Sequence, residues 1–218
     1  MKKTFFICIA VIIGITTYAQ DTTNISFIAR PNTNTYIWSI APQFTAEHAM
    51  RIDLEKRLKN GSSIILAPRF YVKSGDSEEG TNNGKMLGLG GEVFHKIRIS
   101  DLSNPIRGYI TYGMLYNYYD VIQVDVEWFW DETLGISTMT GDDNEKHTGV
   151  HKFGPDLAIG LEMEPIERFI IDMYAGVGAR YSFVAYGDKE FINTHSSIFD
   201  IGYTGIVPLI VLKVGVVF

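Results

Sequence analysis

Side chains able to do chemistry gather in three places along the 218 residues. His195 and Ser197 stand two apart, with Asp200 just beyond. On a strand such a pair shares a face, so the imidazole could activate the hydroxyl while the carboxylate orients it. Against this, spacing alone supplies no oxyanion donor, and a polar loop entering the last strand explains the same residues. The second place runs from Asp125 to His147, where Trp128, Phe129 and Trp130 mix with Asp142, Asp143 and further carboxylates. Clustered carboxylates can hold Ca²⁺, and exposed aromatics can stack on sugars or bind a protein partner. The spacing fits no calcium loop, so no metal is expected there. An acidic loop whose aromatics rest on the fold beneath is the plainer account. The third place is scattered: Asp53, Glu55, Glu92, Glu162 and Asp172 alternate with Arg51, Arg57, Arg69, Arg107 and Arg180. Carboxylates in pairs can do acid–base work, but in a narrow interior mutual neutralisation is the simpler role. Gly88, Gly90 and Gly91 lie inside a strand pattern with no helix start behind them, so no phosphate cradle and no cofactor is expected.

The elements that must position these residues are strands. Tyr, Phe and Gly are abundant, at 12, 13 and 21 residues, and mean hydropathy is close to zero. The chain opens like an export leader. Lys2 and Lys3 precede an apolar run from Phe5 to Ile15, and Thr17-Tyr18-Ala19 places small residues before a cut at Ala19. Residues 1–19 are thus expected to be a signal peptide and 20–218 one domain. The only cysteine, Cys8, leaves with the leader, so the mature chain has no disulfide and no thiolate chemistry. Net charge is −6, and −8 once Lys2 and Lys3 are removed, which argues against a nucleic-acid partner.

The mature chain repeats alternating segments ended by turn residues. In Glu47 to Leu58, Met50, Ile52 and Leu54 fall on one face and Arg51, Asp53, Glu55 and Arg57 on the other. Strands are expected likewise over Ser63 to Lys73, Lys85 to Ile99, Ile106 to Tyr119, Phe153 to Met163 and Arg168 to Tyr186. A last strand is expected from Ile198 to Phe218, with a bulge at Pro208 to reconcile Asp200 with Lys213. Short turns near Asn60, Asn104 and Pro165 alternate with long connections at Ser74 to Gly84, Val121 to Val150 and Gly187 to Ser197. Adding a first strand at Thr22 to Arg30 makes an even count. The expectation is an all-β, eight-stranded, antiparallel up-and-down transmembrane β-barrel. Charges gathered on one face suit a filled interior better than a greasy cavity or an open channel. Tyr116, Tyr118, Tyr119, Tyr181 and Tyr186 are expected in an aromatic girdle.

The run Phe44 to Leu58, its turn, and Ser63 to Tyr71 resemble a hairpin of small outer-membrane barrels of the OmpA/OmpX-like kind. The ending Val217-Phe218 is similar to the terminal signal of outer-membrane proteins. The resemblance implies location in the outer membrane, contact with its lipid and lipopolysaccharide, and recognition of Phe218 by the barrel-assembly machinery. The chain departs from full OmpA-type proteins by ending at the barrel, so no peptidoglycan-binding domain is expected; the resemblance carries over no catalytic residues, leaving a structural, adhesion or partner-binding role with a protein or glycan at the loops. His195 and Ser197 are also similar in spacing to the His-x-Ser arrangement of lipid A 3-O-deacylases. The Asn that usually follows is replaced by Ile198. A deacylase-like hydrolase is therefore the alternative expectation.

Overall fold

The computed structural model describes residues 36–58, 61–73, 85–99, 106–131, 135–198 and 200–218. Eight antiparallel strands close a barrel in chain order. They are β1 (Tyr36–Ile40), β2 (Ala49–Arg57), β3 (Ser62–Lys73), β4 (Lys85–Arg98), β5 (Ile106–Asp131), β6 (Ile136–Ile166), β7 (Phe169–Tyr186) and β8 (Gly205–Val217). A 3-10 helix (Pro42–Glu47) joins β1 to β2, and one helical turn, α1 (Phe191–Thr194), lies between β7 and β8. Closure is made by β1 and β8, paired from Ile37↔Val217 to Ile40↔Val214. Tyr36 and Phe218 exchange backbone hydrogen bonds of 3.2 and 2.8 Å, so the barrel's two ends meet at the short-turn rim.

The period-two pattern decides which way each side chain points. In β2 the odd positions Arg51, Asp53, Glu55 and Arg57 are buried in the lumen, while Met50 projects outward. Outward positions elsewhere carry Trp38, Leu87, Ile159 and Ile210, all exposed. The barrel is thus inside-out relative to a soluble one, with apolar wall and charged lumen. Along β7 the outward aromatics Phe169 and Tyr181 bound this apolar band. At a rise of about 3.4 Å per residue and a tilt of about 40°, they stand about 30 Å apart in height.

Four expectations are corrected. The strand that closes the ring is Tyr36–Ile40; Thr22 to Arg30, like the expected leader 1–19, lies outside the described residues. β8 starts at Gly205, so Asp200 never belonged to its alternation. The β7–β8 register runs unbroken through Val177↔Pro208, and no bulge is present there. The stretch Val121 to Val150 is mostly strand. Among the described residues the β4 pairing reaches Ile122, and β5 and β6 continue beyond it as a two-stranded ribbon. Its β5 arm, 123–131, is about 30 Å long. Tyr119 is the fourth: Tyr116 and Tyr118 face out, and their odd-numbered neighbour Tyr119 is buried in the lumen, because adjacent residues of a strand take opposite faces.

Glycine placement supports the lumenal row. Ala49, Tyr71, Gly88, Tyr119 and Val150 are successive register partners across β2 to β6. A Cβ on Gly88 would lie 2.9 Å from the Tyr119 ring and 3.2 Å from the Tyr71 Cβ. Its absence lets these rings meet edge-to-face at 4.9 Å. Gly88→Val is expected to destabilise the barrel by roughly 1–3 kcal/mol through overpacking. Urea unfolding in detergent checks this; a variant as stable as the parent would mean that both rings shift freely.

Candidate functional site

The lumen has two layers. Toward the short-turn rim it is a lattice of ion pairs. The register lines up Arg107, Glu162, Asp172 and Lys213 across β5, β6, β7 and β8. Glu162 is met by Lys96 at 2.5 Å, Arg57 at 2.8 Å, Arg107 at 3.0 Å and Arg98 at 3.3 Å. Lys96 in turn reaches Asp172 at 2.9 Å and Glu55 at 3.2 Å. Lys213 bridges Asp172 and Asp53 at 3.1 and 3.4 Å. Arg51 joins Asp53 at 2.6 Å and Glu92 at 2.9 Å, and Arg69 also holds Glu92. Arg180 pairs with Asp156 at 2.5 Å. Burying an ion is costly unless partners surround it, and here each carboxylate of this lattice has at least one cation.

Glu55, Glu162 and Asp172 offer oxygens within 4.8 Å of one another, a spacing that suits a metal ion. The ammonium of Lys96 already touches all three. The arrangement is therefore a neutralised lattice with a side-chain cation at its centre. Lys96 was readable as inward-facing from its parity with Glu92 and Arg98. That three carboxylates from β2, β6 and β7 converge on it was not, since their meeting depends on closure.

Toward the long-loop end the lumen is aromatic. Phe44 of the 3-10 helix lies over the guanidinium of Arg69 at 4.1 Å, marking the boundary between the layers. Above it, Asn117 donates to the hydroxyls of Tyr71 and Tyr119 at 3.1 and 2.9 Å. Phe191 of α1 is buried in the same cluster. Both phenylalanines escaped the sequence reading, because plugs carry no periodic signal. The outer wall at this height bears the girdle. His151 stacks on Phe183 at 4.9 Å and bonds the Tyr116 hydroxyl at 2.8 Å. Tyr118 and Tyr186 join through their hydroxyls at 2.7 Å.

The residues singled out from sequence are placed as follows. His195 and Ser197 lie in the connection after α1, not on a strand. His195 stacks on Phe191 at 4.0 Å, and its Nδ1 lies 3.0 Å from both the Phe191 carbonyl and the Thr194 hydroxyl. The Asp200 carboxylate accepts the backbone N–H of Ser197 at 3.1 Å, closing a local turn. These bonds engage each residue with its nearest chain neighbours, and among the described residues none joins His195 to Ser197. Ser197→Ala is accordingly expected to leave lipid A unchanged by mass spectrometry; a lost modification would restore the hydrolase reading. Trp128, Phe129 and Trp130 lie on the β5 arm of the ribbon, opposite Met139, Thr138 and Ser137. Trp130 is exposed. Asp142 and Asp143 fall where the register shifts, one residue of β5 set against three of β6.

Fold and lumen together define a class: a small, inside-out, eight-stranded up-and-down barrel with a filled interior. The structure is similar to that of a major outer membrane protein from Thermus thermophilus, with a TM-score of 0.53 and 12% identity, covering 86% of this chain and 100% of that one. At that identity the likeness concerns the fold. No family model and no curated protein matches the chain.

Proposed function

We propose that this chain is an outer-membrane barrel with a non-enzymatic role in envelope structure, adhesion or partner binding, exercised through its long-loop end. One observation carries the membrane part: large apolar side chains cover the outer wall while paired charges fill the lumen. Water would penalise that wall, and hydrocarbon would penalise any open edge, so a closed barrel of this polarity suits a bilayer. An apolar band of about 30 Å between aromatic belts fits a membrane. The similar Thermus fold supports the same reading. Outer-membrane lipid and lipopolysaccharide are then its surroundings. Phe218, exposed beside Trp38 with ring centroids 6.2 Å apart, is its signal to the assembly machinery.

The ribbon supports the binding part. It sets Trp128, Phe129 and Trp130 beyond the wall, where a protein or a glycan could meet them. The filled lumen leaves little room for a channel. The test is fractionation with gel migration before and after heating, on the parent chain and on one with the ribbon tip 125–142 replaced by a short Gly-Ser turn. Both proteins are expected in the outer membrane with heat-modifiable migration, and the shortened one is expected to lose cell-surface binding. A parent found soluble in the periplasm would defeat the proposal.

A further inference from the structure

We propose that the barrel wall has a lateral seam between β8 and the 3-10 helix, through which an acyl chain of a membrane lipid reaches the apolar layer of the lumen. The proposal rests on the membrane reading above. The seam follows from unequal strands: β1 has 5 residues and β8 has 13. β1 pairs with β8 only from Val214 to Val217. Among the described residues the rest of β8 pairs with β7 and has no strand on its other side.

Backbone parity identifies the groups on that edge. Phe218 bonds to Tyr36 on the β1 side, whereas Val217 bonds to Arg168 on the β7 side. Even-numbered residues of β8 therefore turn their amide groups toward the seam. These include Ile206, Pro208, Ile210 and Leu212. An unmatched backbone group is costly in hydrocarbon. The edge is trimmed accordingly. Pro208 has no N–H to leave unmatched. The Tyr203 hydroxyl donates to the Ile206 carbonyl at 3.1 Å. The Gln43 amide, oriented to match donor with acceptor, donates to the Leu212 carbonyl at 2.8 Å and accepts from its N–H at 3.2 Å. At Ile206 and Leu212, side chains thus do what a neighbouring strand does elsewhere. A proline in mid-edge also deters a foreign strand from adding, so the edge is poorly suited to strand pairing with another protein.

The surroundings specify the occupant. Outside the seam, Ile206 and Ile210 are 69% and 81% exposed on the wall. Inside it, Phe44 and Ala41 belong to the buried cluster that also holds Tyr71, Tyr119 and Phe191 and continues past Arg51 to Tyr174. Below, the guanidiniums of Arg51 and Arg69 close the path under the Phe44 ring, at 5.2 and 4.1 Å from its centroid. The route is apolar from bilayer to upper lumen and ends on a charged floor, which fits a hydrocarbon chain and not an ion. The 3-10 helix closes the inner side of the seam. A side-chain bridge ties it to β8, and the His48 carbonyl after it accepts the Val72 N–H at 2.9 Å.

The test places the photo-reactive residue p-benzoylphenylalanine singly at Phe44, Tyr174 and Ile210 in the full mature barrel. Each protein is reconstituted in dimyristoylphosphatidylcholine vesicles, and lipid adducts are read by mass spectrometry. Heat-modifiable migration first confirms that each variant folds. Adducts are expected at 44 and 210 and not at 174, which lies among the lumenal charges beside Arg51. Adding Gln43→Ala is expected to raise the yield at 44 about five- to tenfold, the factor that the loss of modest hydrogen bonds converts to. Adducts at 210 without any at 44 overturn the seam, as does equal labelling at 174. No adduct at 210 overturns the membrane reading itself, and the seam with it.

Discussion

Lys96→Met is expected to destabilise the barrel by about 3–5 kcal/mol, the cost typical of stripping a buried charge of its partner. The ammonium is fully enclosed and touches Glu162, Asp172 and Glu55 at 2.5, 2.9 and 3.2 Å. Methionine fills much of the same space and packs against Tyr109, whose ring lies 4.2 Å from the ammonium. Volume is thus nearly kept, and the loss is chiefly electrostatic. Three carboxylates with oxygens within 4.8 Å are left around an apolar side chain. Each keeps a second cation, Lys213 at 3.1 Å for Asp172, Arg98 at 2.7 Å for Glu55 and Arg57 at 2.8 Å for Glu162, so the barrel is expected to assemble and to unfold at lower urea. Urea titration in detergent, followed by the fraction of heat-modifiable protein, measures the shift. A loss under about 1 kcal/mol would show that neighbouring cations absorb the change and that Lys96 is not the centre of the lattice.

The converse change, Glu162→Gln, is expected to cost a similar 3–5 kcal/mol for the opposite reason. One carboxylate here answers four cations, from β2, β4 and β5. Glutamine keeps the shape and removes the charge. Arg98 and Lys96 retain Glu55 and Arg107 retains Glu164 at 3.3 Å, while the carboxylate that Arg57 meets at 2.8 Å is neutralised. Because Lys96 and Glu162 touch, their effects should not add. The double variant is expected to be about 1–3 kcal/mol more stable than the sum of the single losses. Additive losses would mean that the two act in separate networks, against the geometry. Both variants should leave the ribbon and the outer wall unaltered, so cell-surface binding is expected to survive in whatever fraction folds.

The lattice was half legible from sequence. Parity within β2 placed Arg51, Asp53, Glu55 and Arg57 on one face, and the structure has all four in the lumen. Parity also put Glu92, Lys96 and Arg98 together. What parity could not say is which strand's charge meets which. Glu162 is 66 residues from Lys96, and only register and closure bring them to 2.5 Å. The His195, Ser197 and Asp200 reading assumed a strand where the chain makes a turn. Short polar residues there bond their own backbone neighbours, a local option that competes with strand formation. In the ribbon, alternation is weaker, and two paired strands looked like a loop.

What the sequence determined by itself was everything that a period of two and a turn residue can encode. That includes the barrel class, the outward and inward faces and the charged interior. Alternation is written residue by residue, so it survives without knowledge of the partner strand. The tertiary structure decided what depends on the ring being closed. It chose Tyr36–Ile40 as the closing strand, kept β8 straight through Pro208, and sent Phe44 and Phe191 into the upper lumen. It also set one ammonium among three carboxylates. Each of these is a meeting of residues far apart in the chain, fixed by strand register and by the limited space inside an eight-stranded barrel.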